Sequence, residues 1–388
     1  YLTGRLALHI NSRLSFENGE LYVDDSLQAL PGPGGTSFIN DLAQAYISLT
    51  PVPEVTLVAG KRRLSWGAGY AFFPGDLIDP PVNPGNRSEG FYGFTATVSP
   101  SASFTLTGAV RLDTAFPSLA SVGGFVASGS DGGLSSLPFL ASYLPATPTN
   151  PWAAVRYALY ADLLLGNLDT YAAVTYQWDR LLRPAAGFSV DLGGVIANGE
   201  VAVELENSSL YPTAAGTYEV PAPGKPFPVA TVGLQRTASN DVASYGVTVE
   251  YLYDGTGYDQ TQAGRFYDKL ATILASASPD SSVAAATLAG GSAGSAWLAG
   301  SGVLPGFGRH YAALSVSASV THVISGTVAA IVNIQDGSFA VQPELRLTHF
   351  SGIDIFARAV LAWGWNSRTE FGLESTPVTV TAGTIVHF

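Results

Sequence analysis

The residue types able to do covalent chemistry are few in this chain and poorly spaced for it. Five histidines, His9, His310, His322, His349 and His387, are scattered over 388 residues. None sits in a His-Glu-x-x-His pair or beside a Gly-x-Ser-x-Gly serine, the spacings that let imidazole bind zinc or activate a nucleophile. The chain has no cysteine, which excludes thiolate nucleophiles, redox dithiols, disulfides and cysteine metal sites. Asp76 and Asp79 lie in a proline-rich stretch that lacks the dense oxygen spacing of a calcium loop, and read as solvated turn carboxylates. The sequence thus predicts no enzyme, no metal centre and no cofactor.

What remains is a set of ionised side chains at alternate positions of otherwise apolar segments. Arg5, Arg13, Arg62, Arg111, Arg156, Arg346 and Arg358 are of this kind, as are Asp162, Asp191, Glu204, Glu206, Glu250, Glu344 and Asp354. Charges confined to one face, opposite an uncharged apolar face, can order water and polar solutes along a surface.

Elements of period two must position them. In 311–320, Ala312, Leu314, Val316, Ala318 and Val320 form one face, while Tyr311, Ala313, Ser315, Ser317 and Ser319 form the other. In 326–336, Val328, Ala330, Val332 and Ile334 alternate with Thr327, Ala329, Ile331, Asn333 and Gln335. In 338–348, Phe339, Val341, Leu345 and Leu347 alternate with Gln342, Glu344, Arg346 and Thr348. Such runs of about 10 residues between turn signals are the signature of a transmembrane barrel.

Composition agrees. Apolar residues make up 47% and charged residues only 12%, against roughly 25% charged in ordinary soluble domains. No stretch supplies the roughly 20 apolar residues of a membrane helix. A closed barrel is the other way to pair every backbone group inside lipid. The net charge of −12 argues against a nucleic-acid partner. The chain starts at Tyr1 inside a strand-like pattern, so a targeting segment is expected to have been removed or left out.

The expected fold is all-β, one domain over 1–388: an antiparallel up-and-down barrel with strands at 2–15, 41–51, 54–64, 90–99, 102–113, 152–165, 168–178, 183–192, 200–207, 228–238, 243–253, 310–320, 326–336, 338–348, 353–363 and 376–388. That makes 16, with 14 as the alternative. Connections alternate between short ones, assigned to the periplasmic rim, and long external loops at 16–40, 65–89, 114–151, 208–227 and 254–309. Tyr46, Trp152, Trp178, Trp363 and Trp365 near strand ends fit the aromatic girdles of a membrane barrel.

The alternating strands, the short and long connections and the terminal Phe388 resemble Gram-negative outer-membrane porins, in which a C-terminal aromatic belongs to the signal read by the barrel-assembly machinery. The run Gly60-Lys61-Arg62-Arg63-Leu64-Ser65-Trp66-Gly67-Ala68-Gly69, followed by Phe73-Pro74-Gly75-Asp76 and Asp79-Pro80-Pro81, is similar to a strand-to-loop signature of some substrate-selective and exopolysaccharide-export barrels. The resemblance implies a channel in the bacterial outer membrane for passive diffusion of small hydrophilic solutes. It also implies a bilayer and lipopolysaccharide around the barrel, and a homotrimer by analogy. Two other functions stay open. One is a selective transporter or exporter of a polysaccharide or hydrophobic compound; the other is an anchoring barrel with a filled lumen that binds a partner protein.

On this reading the arginines occupy strands 14, 15, 1, 3, 5 and 6 of the count, one contiguous wall once the barrel closes. Asp191, Glu204, Glu206 and Glu250 lie on the other wall, as in general porins, giving a field across the lumen. Glu344, Arg346, Asp354 and Arg358 could equally pair with one another and only brace the wall. In the longest loop, Phe266, Leu270, Ile273 and Leu274 follow helical spacing, and Ser278-Pro279-Asp280 starts a second helix that stops at Gly290-Gly291. This hairpin is expected to narrow the pore or to cover its mouth, with 114–151 as a second constriction candidate.

Overall fold

The computed structural model describes residues 6–32, 35–78, 90–112, 151–178, 181–205, 211–219, 221–276, 308–321, 323–350, 353–365, 369–373 and 378–386. Its strands are β1 (Leu6–Phe16), β2 (Gly19–Gly32), β3 (Gly35–Val52), β4 (Val55–Arg62), β5 (Phe91–Ser101), β6 (Phe104–Arg111), β7 (Arg156–Leu165), β8 (Leu168–Gln177), β9 (Arg183–Asp191), β10 (Val195–Glu204), β11 (Tyr211–Pro212), β12 (Tyr218–Glu219), β13 (Phe227–Ser239), β14 (Ala243–Asp254), β15 (His310–Val320), β16 (Ile324–Asn333), β17 (Ser338–Phe350), β18 (Ile353–Trp363) and β19 (Val378–Val386). One helix, α1 (Gln260–Ser276), follows β14.

Among the described residues 17 strands form one sheet, and β11 and β12 form a separate hairpin. Each strand of the large sheet pairs antiparallel with the next in the chain, with β10 bonding β13 across the β11–β12 excursion. The expected strands are all present. The expected loop 16–40 is not a loop: β2 and the upper part of β3 occupy it, which raises the count from 16 to 17. Two features hide β2 in the sequence. Its inner face carries Glu20, Tyr22 and Asp24, and a bulge opposite Asp24 and Asp25 interrupts the alternation of β3.

Parity then fixes what each face meets. Leu14, Phe94, Leu159, Val232, Leu234, Val249, Leu314, Leu345 and Val380 point outward and are exposed. So much apolar surface could not stay in water, where it costs about 25 cal/mol per Å². No helix among the described residues is long and apolar enough to cross a membrane. Trp152, Trp178, Trp363 and Trp365 are exposed at the long-loop rim, as expected of a girdle. Tyr46 is not part of it. It faces inward, its ring 5.3 Å from that of Tyr22.

The sheet curls around its own chain. Residues 64–78, leaving β4, touch the inner faces of β5–β10 and β13–β18. A sheet that meets one central segment from so many strands is a barrel.

Candidate functional site: the lumen and its inserted segment

After Arg62 the chain turns into the lumen. The segment 64–78 carries large apolar residues at irregular intervals, broken by Gly67, Gly69, Pro74 and Gly75, so it suits neither helix nor strand. It is seated by three anchors. Trp66 stacks on Tyr160, centroids 5.0 Å apart and planes at 16°, over Phe91, Ala109 and Ala158. Phe72 sinks among Val229, Leu252, Tyr311, Ala313, Ile331, Ala340, Ala362 and Phe371. Leu77 lies on Tyr171, Ala173, Ala185 and Ala202. Many wall positions beneath the anchors are alanine, which leaves room for the large side chains to interdigitate at interior density.

A segment without regular structure must find partners for its backbone, because unpaired polar groups in a packed interior are costly. Two wall glutamates supply most of them. Glu200 accepts from the N–H groups of Ala68 and Gly69 through Oε1, and of Gly75 through Oε2 at 2.8 Å. Glu250 accepts from Tyr70 N–H through Oε1 at 2.8 Å, and from Ala71 and Phe72 N–H through Oε2. Asn198 donates from Nδ2 to Ala68 O at 2.6 Å and to Glu250 Oε1 at 3.0 Å. Asp76 accepts from Trp66 N–H, and Arg111 donates to Ile78 O at 2.7 Å.

Among the described residues, the inner faces that the segment leaves uncovered are those of β1 to β4 and β19. Arg13 pairs with Glu20 at 3.0 Å, and Arg63 with Asp24 at 3.5 Å. The Tyr22–Tyr46 pair lies between two guanidinium groups, that of Arg13 5.8 Å from the Tyr22 centroid and that of Arg62 5.9 Å from the Tyr46 centroid. Arg62 also donates to Thr95 Oγ1 at 3.2 Å. Next to this wall, Arg346 bonds Glu344 at 3.2 Å, and Glu344 stands opposite Arg358 in the register of β17 and β18. Asp354 lies on the same face of β18.

On the other side Arg156, Thr175, Gln177, Arg183, Glu204 and Leu77 line a cavity of about 110 Å³, and Arg183 pairs with Glu204 at 2.8 Å. Asp162 lies on the inner face of β7. Two expected lumen carboxylates have other roles. Asp191 caps a rim turn by accepting from Gly193 and Gly194 N–H. Glu250 is buried under the segment and is no open lining residue. Arg5, Glu206 and Phe388 lie outside the described residues.

The helical spacing in 254–309 is present as α1. Asp259 and Gln262 cap its start reciprocally, each side chain accepting from the other's backbone N–H. Phe266 is buried at the rim, its ring 5.6 Å from Tyr258, which in turn meets Tyr211 of the small hairpin edge-on. The side chains of Leu270, Ile273 and Leu274 lie outside the described residues, as do the expected second helix and the loop 114–151. The element inside the lumen is 64–78, a stretch expected to be external.

Also at this rim, Glu370 is fully buried. It accepts from Tyr311 Oη at 2.6 Å and Asn333 Nδ2 at 2.8 Å, and its N–H donates to Asp336 at 2.7 Å. Burial, with Asp336 and Asp254 nearby, pushes its carboxyl up to about 8.

Sequence reasoning missed Glu200, Asn198 and the inserted segment. Glu200 shares strand parity with Glu204, so its inward direction was available. That Trp66, Phe72, Leu77 and Ile78 all fall in a segment rich in glycine and proline was the signal for a loop that is itself a core.

Fold and site together define a membrane-spanning antiparallel β-barrel with an inward-folded loop. No family model matches the chain, and no curated protein matches it. Solved structures of similar shape include OccAB1 of Acinetobacter baumannii, 10% identical over 99% of this chain and 94% of that one, with a TM-score of 0.48. A BenF-like porin from Pseudomonas fluorescens Pf-5 is 10% identical over 99% and 90%, with a TM-score of 0.49. OccK2 (OpdF) of Pseudomonas aeruginosa, solved in complex with glucuronate, is 8% identical over 99% and 92%, also with a TM-score of 0.49.

Proposed function

We propose that the chain is a passive channel of the bacterial outer membrane for small hydrophilic solutes. The observation that carries this reading is the inner face of β1 to β4, uncovered among the described residues. There ionised and aromatic side chains share a surface inside a barrel whose outside is apolar, which favours water and polar solutes along that side. On this reading lipid and lipopolysaccharide surround the barrel, Phe388 serves its insertion by the assembly machinery, and three copies associate.

Purified protein in a planar bilayer should give discrete ohmic conductance steps, and liposomes containing it should swell in small sugars. Protein that is folded but silent in both assays would overturn the reading. It would favour a second one, an anchoring barrel with a filled lumen, which the three apolar clusters around 64–78 support.

A further inference from the structure

We infer that Glu200 and Glu250, bridged by Asn198, set the aperture of the lumen by holding 64–78 across it, so that releasing them widens the passage while the barrel stays intact. The inference rests on the pore reading above.

Each carboxylate uses both oxygens on the segment: Glu200 through Ala68 and Gly69 on one side and Gly75 on the other, Glu250 through Tyr70 on one side and Ala71 and Phe72 on the other. Among the described residues no lysine or arginine forms an ion pair with either. Converging backbone N–H dipoles compensate their charge instead, as in anion-binding nests. Apart from the Asn198 bond to Glu250, the hydrogen bonds of these two carboxylates go to the segment. The strand pairing of β10 and β14 runs through the backbone and does not involve these side chains. If the segment leaves, both carboxylates meet the water of the lumen, so the open arrangement strands no buried charge.

The bridge depends on one missing side chain. Strand β13 runs between Asn198 and Glu250, and Gly233 stands opposite both in register. A Cβ at 233 would collide with Asn198 Oδ1 and lie 2.5 Å from Glu250 Cγ. A larger residue there would part the two while leaving both carboxylates in the chain.

The test is single-channel conductance together with the largest sugar that permeates liposomes, for wild type, Glu200→Gln with Glu250→Gln, Gly233→Ala, and a variant with 66–77 replaced by a short Gly-Ser linker. Glutamine keeps size but presents N–H to N–H at one of the two sites each carboxylate serves. Heat-modifiable electrophoretic migration reports the folded barrel for each. The expected result is a several-fold rise in conductance and a larger size limit for the double variant, approaching the linker variant, with a smaller rise for Gly233→Ala. A folded double variant with wild-type conductance and size limit, beside a linker variant that conducts more, would overturn the latch and leave the pore reading standing. Silence in every folded variant, the linker variant included, would overturn the pore reading and this inference with it.

Discussion

Asn198 reaches across an intervening strand to Glu250, Nδ2 to Oε1 at 3.0 Å, over a position where Gly233 offers no side chain. The wall is thus shaped around the contents of the lumen, and that relationship divides the barrel into parts that respond differently to substitution.

The seating of the segment should be separable from the fold of the barrel. Phe72→Ala removes an anchor from a pocket lined by six strands, and a deletion of this kind costs about 3–5 kcal/mol. Hydrogen exchange followed by mass spectrometry should find the amides of 68–75 exchanging much faster, with the strand amides of β13–β16 unchanged. Uniform acceleration through both regions would refute this division.

The two faces of β15 should differ in what they tolerate. Val316→Arg places a charge in the lipid belt and is expected to cost about 2–4 kcal/mol, whereas Ser317→Arg enters the lumen and should cost little. Urea unfolding in lipid vesicles compares them directly. Equal losses would mean that inside and outside are wrongly assigned.

The uncovered wall should govern ion preference. Arg62→Gln removes a cation over Tyr46, and Arg13→Gln removes its counterpart on Tyr22, leaving Glu20 with its hydrogen bond from Tyr46 but without that ion pair. Reversal potentials in a salt gradient should shift toward cations for both, and additively in the double variant. An unchanged potential would place the ion path elsewhere.

Glu370 should make the rim sensitive to alkali. Its carboxyl is raised from an ordinary value of 4.5 to about 8, first by burial and then by the carboxylates of Asp336 and Asp254, against hydrogen bonds from Tyr311 and Asn333. The folded state therefore holds the proton more tightly than the unfolded one. The stability this contributes is complete below pH 4.5, falls as pH rises toward about 8, and is gone above it. The change should amount to a few kcal/mol on an order-of-magnitude scale. Thermal melts between pH 4 and pH 9 should slope downward for wild type and lie flatter for Glu370→Gln. Identical slopes would exclude Glu370 as the source.

The strands were legible because alternation is a local property: every wall strand from β13 to β16 follows the parity of its own sequence. β2 was not, since its inward acids resemble loop residues until distant arginines pair with them, Arg13 of the neighbouring β1 with Glu20 and Arg63, just past the end of β4, with Asp24. The inserted segment was illegible for a related reason. Its hydrogen-bond partners sit on β10 and β14, and no local pattern announces that Glu200 and Glu250 will face backbone rather than water. Charge parity could not separate Arg62, whose guanidinium lies over Tyr46, from Glu250, buried beneath a loop.

The separation between the segment and its two glutamates also bears on how the barrel is made. The hydrogen bonds join residues 125 to 180 positions apart, so the seat for 64–78 does not exist when that stretch is first synthesised. Contacts of such long range form late, after the loops between them have closed. Strands β5 to β10 and β13 to β18 supply the seat, so they must be paired before the segment has anywhere to go. The long range of these contacts thus makes seating of 64–78 an expected late step, after the wall that receives it.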